Sequence, residues 1–156
     1  MEQHTLLAFP LRIQNMAESF ELHPRLAADC ILVGRLPLSL LLLFNDARYP
    51  WFILVPQRPG VREIFQLPEP DQQRLWRESA ALARNLMHSF HADKINIGAL
   101  GNLVPQLHLH HVARFTTDPA WPGPVWGHSA AEPYEKHGIT ERVGMACDWF
   151  GKDLRV

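Results

Sequence analysis

VPQLHLHHV, residues 104–112, is the stretch of this sequence on which the interpretation of the rest depends. Because successive side chains of a β-strand point to opposite faces, the stretch predicts a strand with one polar and one apolar face. Two imidazoles and an amide then stand in a row on one side of a sheet, and leucines on the other side hold the strand against a core. One face carries Gln106, His108, His110 and Val112, and the other carries Leu107, Leu109, His111 and Ala113.

The row of histidines on the polar face is suited to chemistry at phosphorus or carbonyl carbon. A neutral imidazole nitrogen attacks such centres directly, and a second histidine can donate to their oxygens or to the leaving group. Two other interpretations stay open. The histidines could have no functional role, or they could supply two ligands of a zinc site, since His-x-His on a strand is a common zinc motif. A zinc site needs a third ligand, and no Cys, Asp or Glu follows His108 and His110 at ligand spacing.

The loop before this stretch has the composition of an anion-binding loop. It reads NIGALGN, residues 96–102. Glycines let backbone N–H groups approach an anion closely, and asparagine side chains donate hydrogen bonds to it. Many loops between strands use these residues, so the pattern gains its meaning from the histidines that follow at once. We interpret the loop as a phosphate cradle beside a nucleophile.

The remaining sequence predicts an α+β fold. Three short apolar segments lie close together, and the turn residues between them favour antiparallel pairing over parallel crossovers. Glu69–His91 begins with Pro70 and Asp71 and repeats apolar residues at helical spacing, with Leu75 and Trp76 widening the apolar face. The strand candidates are Cys30–Arg35, Leu40–Phe44, Trp51–Val55, Lys94–Ala99 and Gln106–Phe115; His23–Leu26 is a helical turn, Ile139–Phe150 a helix, and Thr5–Ile13 a strand or an arm.

Together these features resemble the histidine triad (HIT) family. The family signature is His-φ-His-φ-His-φ-φ, where φ is apolar, and residues 106–112 match it with Gln106 in place of the first histidine. The order of elements agrees as well, and the resemblance covers Cys30–Gly127. It implies an antiparallel β-sheet of about five strands with one long helix within residues 1–127. Residues 128–156 form a C-terminal extension, which we expect to be helical and packed on the same domain.

The resemblance also implies an activity. Members of the family bind nucleotides and cleave or transfer nucleoside monophosphates through a covalent nucleotidyl-histidine, and they form dimers whose sheets run together. By position, His108 is implied to be the nucleophile, and His110 to contact the α-phosphate and the leaving group. Asp46 is implied to hold the ribose, although a turn-forming role explains it equally well. Further nucleotide contacts are implied for Asn96, Gly101 and Asn102.

The sequence departs from the family pattern at several positions. Gln106 can still hydrogen-bond but does not titrate, so His108 is expected to function while protonation of the leaving group suffers. Leu103 stands where many members have Ser or Thr, and Trp51 where many have histidine. His111 replaces an aliphatic residue; facing the core, it would stay neutral because burial disfavours the cation.

Two tryptophans, Trp121 and Trp126, follow the signature strand within the proline-rich loop Pro119–Gly127. Their faces could stack on a nucleobase or pack on a partner subunit. Equally, the loop could fold rigidly onto its own core. The sequence leaves both interpretations open.

Composition excludes several other classes of protein. A chain of 156 residues that is 47% hydrophobic and 20% charged is typical of one globular domain. Its net charge of −1 argues against a binder of nucleic acid or of anionic membranes. Cys30 and Cys147 lack a CxxC partner and are expected to be buried thiols in a reducing compartment. Without a visible membrane span or secretory signal, we expect a cytoplasmic protein.

The resemblance therefore implies a dimeric hydrolase or transferase of purine nucleotide conjugates, either phosphoramidates or dinucleoside polyphosphates. The covalent step on His108 needs no metal or other cofactor, although a polyphosphate could arrive with Mg²⁺. Two alternatives remain. One is a weak or inactive nucleotide-binding module, which Gln106 and Leu103 favour; the other is a zinc-binding protein that uses His108 and His110.

Overall fold

The secondary structure follows the predicted order. The computed structural model describes residues 19–156, so the predicted element at Thr5–Ile13 lies outside the described residues. The strands are β1 (Cys30–Arg35), β2 (Ser39–Phe44), β3 (Trp51–Pro56), β4 (Lys94–Gly98) and β5 (Leu109–Arg114). The helices are α1 (Pro24–Asp29), α2 (Glu69–Phe90) and α3 (Lys136–Phe150), with short 3₁₀ turns at Ile64–Gln66 and Gly151–Asp153.

The strands form one antiparallel sheet in the order β1-β2-β3-β5-β4. The histidine strand β5 therefore lies inside the sheet, with Ile53 of β3 and Gly98 of β4 on either side of His110. It begins at Leu109, three residues later than Gln106, because the paired residues of β3 and β4 end there. The predicted alternation nevertheless continues through residues 106–108.

The two faces of the sheet bury different side chains. β2 and β3 read as continuous apolar runs because both faces are covered. Leu41, Leu43 and Leu109 pack toward α2, whereas Leu40 and Leu42 pack toward the opposite face with Val112. Fully burying each such leucine contributes about 1.5–3 kcal/mol. This packing fixes which face of β5 carries His108 and His110.

Helix α2 has the predicted spacing of buried residues, but one residue that was predicted to join the buried face is exposed. Leu75, Leu82 and Leu86 are completely buried, and the helix ends at His91 in the left-handed conformation. The prediction that Trp76 widens the apolar face was wrong, because that side chain is 52% exposed. The buried face extends instead toward Glu78, which lies on the other flank of Leu75 around the helix.

The C-terminal segment contacts both sides of the molecule. Residues 129–134 run beside the β2–β3 turn, where Ala47 donates its N–H to the carbonyl of Glu132 at 2.7 Å. Helix α3 begins three residues before the predicted start and packs on the α2 side through Ala146 and Trp149, whose indole N–H donates to Ser89 Oγ at 2.9 Å. Cys30 and Cys147 are both free thiols. Between residues 19 and 156, no helix has the length and apolarity needed to cross a membrane.

Candidate active site

A cavity of about 400 Å³ opens on the sheet face opposite α2, next to the imidazoles of His108 and His110. One part of its wall is apolar, and the histidines lie beside the loop at residues 100–104. The apolar lining includes Leu26, Phe44, Trp51, Ile53, Leu100, Leu103, Val104, Val125 and Trp126, and the polar lining includes Arg25, Asp29, Asp46, Asn102, His108, His110 and Ser129. A pocket with mostly apolar walls and a few converging polar groups is typical of a small-molecule site.

His108 presents an unprotonated nitrogen to this cavity. Its Nδ1 lies 2.7 Å from the backbone carbonyl oxygen of Gln106, which can only accept, so Nδ1 carries the hydrogen. The lone pair therefore stays on Nε2. Burial lowers the pKa of His108, partly opposed by the Gln106 carbonyl, and the nearby His23 lowers it further. The side chain is a neutral nucleophile in a fixed tautomer.

Gln106 uses its side chain away from the cavity. The amide oxygen accepts the backbone N–H of His23 at 2.9 Å, and the amide nitrogen donates to the carbonyl of Glu21 at 2.8 Å. These bonds fasten the segment before α1 to the start of the histidine strand. At this position, orientation of His108 comes from the backbone of Gln106 and not from its amide.

His110 is held in the opposite tautomer by Trp51. The indole N–H of Trp51 donates to His110 Nδ1 at 2.9 Å. An indole can only donate, so Nδ1 is the acceptor and the neutral ring carries its hydrogen on Nε2. Burial lowers the pKa of His110 to about 3, and repulsion by His108 and His111 adds to the effect. His110 is thus a neutral hydrogen-bond donor 4.9 Å from His108, measured between ring centroids.

The two loop tryptophans have separate environments. Trp126 packs edge-on against His110 and Trp51, with ring centroids 5.7 and 6.1 Å away, and forms part of the cavity wall. Trp121 is 38% exposed and lies against the guanidinium of Arg114. The loop therefore folds onto its own chain at Trp126.

Asp46 lines the cavity but already has hydrogen-bond partners. Arg48 donates to both carboxylate oxygens, at 2.9 and 2.6 Å, and the backbone N–H groups of Arg48 and Glu132 donate to Oδ1. Burial raises the pKa of Asp46, but these bonds outweigh it and leave the pKa below its ordinary value. Arg48 was not predicted from the sequence, although an Arg two residues after a turn Asp is a usable signal.

The loop at residues 96–102 only partly reaches the cavity. Gly101, with a φ of +67°, and Asn102 both line it, as does Leu103. Asn96 does not line it; its side-chain oxygen accepts from Arg114 at 2.7 Å. Asn96 and Asn102 thus have different environments despite their similar positions in the sequence pattern.

No group of three or more His, Cys, Asp or Glu side chains in residues 19–156 is arranged to hold a metal ion. For His108 and His110, one ring nitrogen each is already hydrogen-bonded within the protein. What remains toward the cavity is one lone pair, on His108, and one N–H, on His110. That combination suits attack at phosphorus with stabilisation of an oxygen.

His111 points into the core, as predicted. It is completely buried, and its Nε2 lies 2.7 Å from Ser79 Oγ of α2 while Nδ1 faces the carbonyl of Leu109. Burial lowers its pKa from 6.5 to about 4, against the smaller opposing effect of the Leu109 carbonyl. The side chain belongs to the packing between α2 and the sheet.

We expect the buried histidines to make the fold acid-sensitive. The unfolded state binds protons at His111 below pH 6.5, whereas the folded state does so only near pH 4. Stability is therefore complete above the unfolded pKa and is lost as pH falls through this interval, by about 1.4 kcal/mol per pH unit for one histidine. Urea unfolding at pH 7 and pH 5 measures the loss. The double variant His111→Leu, Ser79→Ala should lose less stability between the two pH values than the wild type does. The control His137→Ala, at an exposed site, should lose as much as the wild type. Equal losses of stability in the wild type and in both variants would refute the assignment of the acid sensitivity to His111.

Comparisons with known proteins agree with this architecture. Residues 25–117 match the family model described as HIT domain. A histidine triad protein from Marinobacter aquaeolei VT8 is 47% identical, covers 86% of this chain and 98% of its own, and superposes with a TM-score of 0.84. Histidine triad proteins from Sinorhizobium meliloti 1021 and Bradyrhizobium japonicum are each 45% identical, with TM-scores of 0.82 and 0.80. They cover 85% and 81% of this chain and 98% and 95% of their own. No curated protein matches the sequence significantly.

Proposed function

Because this chain belongs to the histidine triad family, we propose that it cleaves or transfers nucleoside monophosphates through a covalent intermediate on His108. Members of that family are generally nucleotide hydrolases or transferases. The observation that carries the proposal is the free Nε2 of His108, which lines a cavity of nucleotide size while Nδ1 is held by the Gln106 carbonyl.

The covalent step uses groups already in place. The Nε2 lone pair attacks the α-phosphorus, the bond from phosphorus to the leaving group breaks, and its electron pair leaves with that group. The imidazole of His108 becomes cationic, and its Nδ1–H donates to the carbonyl of Gln106, which stabilises the new charge. Water then attacks the same phosphorus, the P–Nε2 bond breaks with its electron pair returning to His108, and the monophosphate is released after the attacking water loses a proton to solvent; a different nucleophile would make the reaction a transfer.

Charge that develops on the phosphoryl oxygens needs hydrogen-bond donors fixed in advance. His110 supplies Nε2–H, and the backbone around Gly101 and Asn102 lies beside the same cavity. A left-handed residue such as Gly101 turns successive N–H groups toward one side, as anion-binding loops do. We assign the phosphate to this end of the cavity.

The nucleoside would occupy the apolar end. Leu26, Phe44 and Ile53 offer a flat apolar surface of the kind on which a purine base packs. A ribose hydroxyl would reach Asp46 through Oδ2, because Oδ1 already accepts three N–H groups. The proposed ligand is therefore a purine nucleotide conjugate bound by its phosphate and its base, with a limited contact to the sugar.

We also propose a homodimer. Strand β4 lies at one edge of the sheet, and its outer N–H and C=O groups can pair with another strand. Ile97 and Leu100 on and after this strand are apolar yet 44% and 41% exposed. Pairing of two β4 strands would cover them and join the two sheets.

A nucleotide-binding module without turnover is the competing function. The specific observation in its favour is that the side chain of Gln106 hydrogen-bonds the segment before α1 and so contributes nothing to proton transfer. Such a module would bind nucleotides in the same cavity and release no product.

Product analysis in the presence of EDTA distinguishes these functions. The purified protein is incubated with a diadenosine polyphosphate and with adenosine phosphoramidate, and AMP is measured by chromatography. We expect AMP to form from at least the diadenosine polyphosphate with EDTA present, because the covalent step uses only protein groups. AMP binding without product would favour the binding module. Stoichiometric zinc, together with loss of stability in EDTA, would favour a metal-binding protein.

A further inference from the structure

We propose that Trp51 is a positioning residue that restricts the reaction to leaving groups that depart as stable anions. Trp51 holds His110 as a neutral Nε2–H donor. Phosphoanhydride oxygens are therefore accepted as leaving groups, and amines are not. The inference rests on the proposed function and names the chemical class of bond that the site breaks.

The geometry around His110 excludes its protonated form. Nδ1 and the indole nitrogen of Trp51 are 2.9 Å apart, and both side chains are buried, with 8% and 5% exposure. Protonation of Nδ1 would set two N–H groups against each other at that distance with no acceptor between them. The indole has little freedom to move away, because Phe44, Tyr49 and Trp126 pack around it.

The electrostatic surroundings act in the same direction. Along the same stretch of chain, His110 is flanked by His108 and His111, whose charge when protonated disfavours protonation of His110. The elements packed against it contribute Trp51 from β3 and Trp126 from the loop after β5, neither of which titrates. Within residues 19–156, no carboxylate is hydrogen-bonded to His110. Nothing in contact with this ring would stabilise an imidazolium.

A neutral imidazole has different uses for different leaving groups. An amine attached to phosphorus must gain a proton before the P–N bond breaks, and the N–H of a neutral imidazole is a poor source of that proton. The Nδ1–H of His108 faces the Gln106 carbonyl and cannot supply it either. A phosphoanhydride oxygen leaves with its electron pair and needs only a hydrogen bond, which His110 Nε2–H gives. In that step the Nε2–P bond forms, the P–O bond breaks, and no proton is transferred.

The test compares two substrates in three proteins. One substrate is a dinucleoside polyphosphate and the other an N-alkyl phosphoramidate of AMP; kcat/KM is measured for both between pH 5.5 and pH 7.5. Trp51→Phe keeps an aromatic ring but removes the N–H. Trp149→Phe is the matched control, since that indole N–H binds Ser89 on the far side of the sheet.

We expect the wild type and Trp149→Phe to prefer the anhydride by about 100-fold or more, the usual contribution of a missing general acid. Trp51→Phe should lower this preference at least tenfold at the acidic end of the range, because a protonated Nδ1 then no longer faces an indole N–H, and only burial and the neighbouring histidines still oppose the imidazolium. Equal cleavage of both substrates by the wild type, or an unchanged preference in Trp51→Phe, would overturn the inference.

A second measurement needs no turnover. The ¹⁵N shifts of His110 in the wild type should report the Nε2–H tautomer, without titration down to pH 5. A titrating or Nδ1–H ring would overturn the positioning role even if anhydrides were preferred. Absence of cleavage of either substrate would instead refute the proposed function and the leaving-group rule with it. The tautomer result would then separate that failure from a failure of the Trp51 geometry.

Discussion

His108→Ala is expected to abolish product formation from any nucleotide substrate, with turnover reduced by at least about 10⁴-fold. Among the cavity-lining imidazoles of the described residues, the variant removes the only nitrogen with a free lone pair, since the lone pair on Nδ1 of His110 accepts the indole N–H of Trp51. Steady-state release of AMP from a dinucleoside polyphosphate measures the effect. AMP binding should stay within a few-fold of the wild type, because the base contacts lie elsewhere in the cavity.

Two controls make this result specific to the nucleophile. His137→Ala removes an exposed histidine far along the chain and should leave turnover unchanged. Free imidazole added to His108→Gly should restore part of the activity, since the small molecule can fill the space left by the side chain. A residual rate within about tenfold of the wild type in His108→Ala would contradict the assignment.

Asp118→Ala is expected to cause the largest loss of stability, about 3–5 kcal/mol, because it leaves a buried charge without its partner. Arg114 and Asp118 have side-chain exposures of only 2% and 3%, and Arg114 donates to Asp118 through Nε at 2.7 Å and Nη2 at 3.0 Å. Asp118 also accepts the backbone N–H groups of Phe115 and Ala120. Urea unfolding measures the loss.

The matched control is Asp71→Ala, which breaks the pair between Arg58 and Asp71. That pair has a similar length, 2.6 Å, but side-chain exposures of 41% and 16%. An exposed ion pair contributes about 1 kcal/mol or less. Asp118→Ala should also weaken AMP binding, because Arg114 and Asp118 anchor the loop that carries Trp126 to the cavity. Equal destabilisation by the two substitutions would show that the buried pair has no special role.

Periodicity explains why much of the site could be predicted from the sequence. The alternation in residues 106–112 assigns His108 and His110 to one face and His111 to the other, and the two clusters of the core confirm it. The three- and four-residue spacing of Leu75, Ser79, Leu82 and Leu86 predicts α2 in the same way. Both patterns are local, so a single sequence contains them in full.

The side-chain partners could not be predicted because they depend on contacts between distant parts of the chain. Gln106 binds the backbone of His23, 83 residues away, and Trp51 binds His110, 59 residues away. The family resemblance identified Trp51 as unusual but could not say that its N–H fixes a tautomer. Trp76 is the opposite case. Its apolar character predicted burial, but its angular position around the helix leaves it exposed.

The most direct test of the central claim is to trap the covalent intermediate. The protein is mixed with a dinucleoside polyphosphate, denatured in alkali to protect the acid-labile N–P bond, digested, and mapped by mass spectrometry. The predicted result is one added nucleoside monophosphate on His108, absent from His108→Ala. Release of AMP without any adduct, or an adduct on His110 or another residue, would contradict the claim that His108 is the nucleophile.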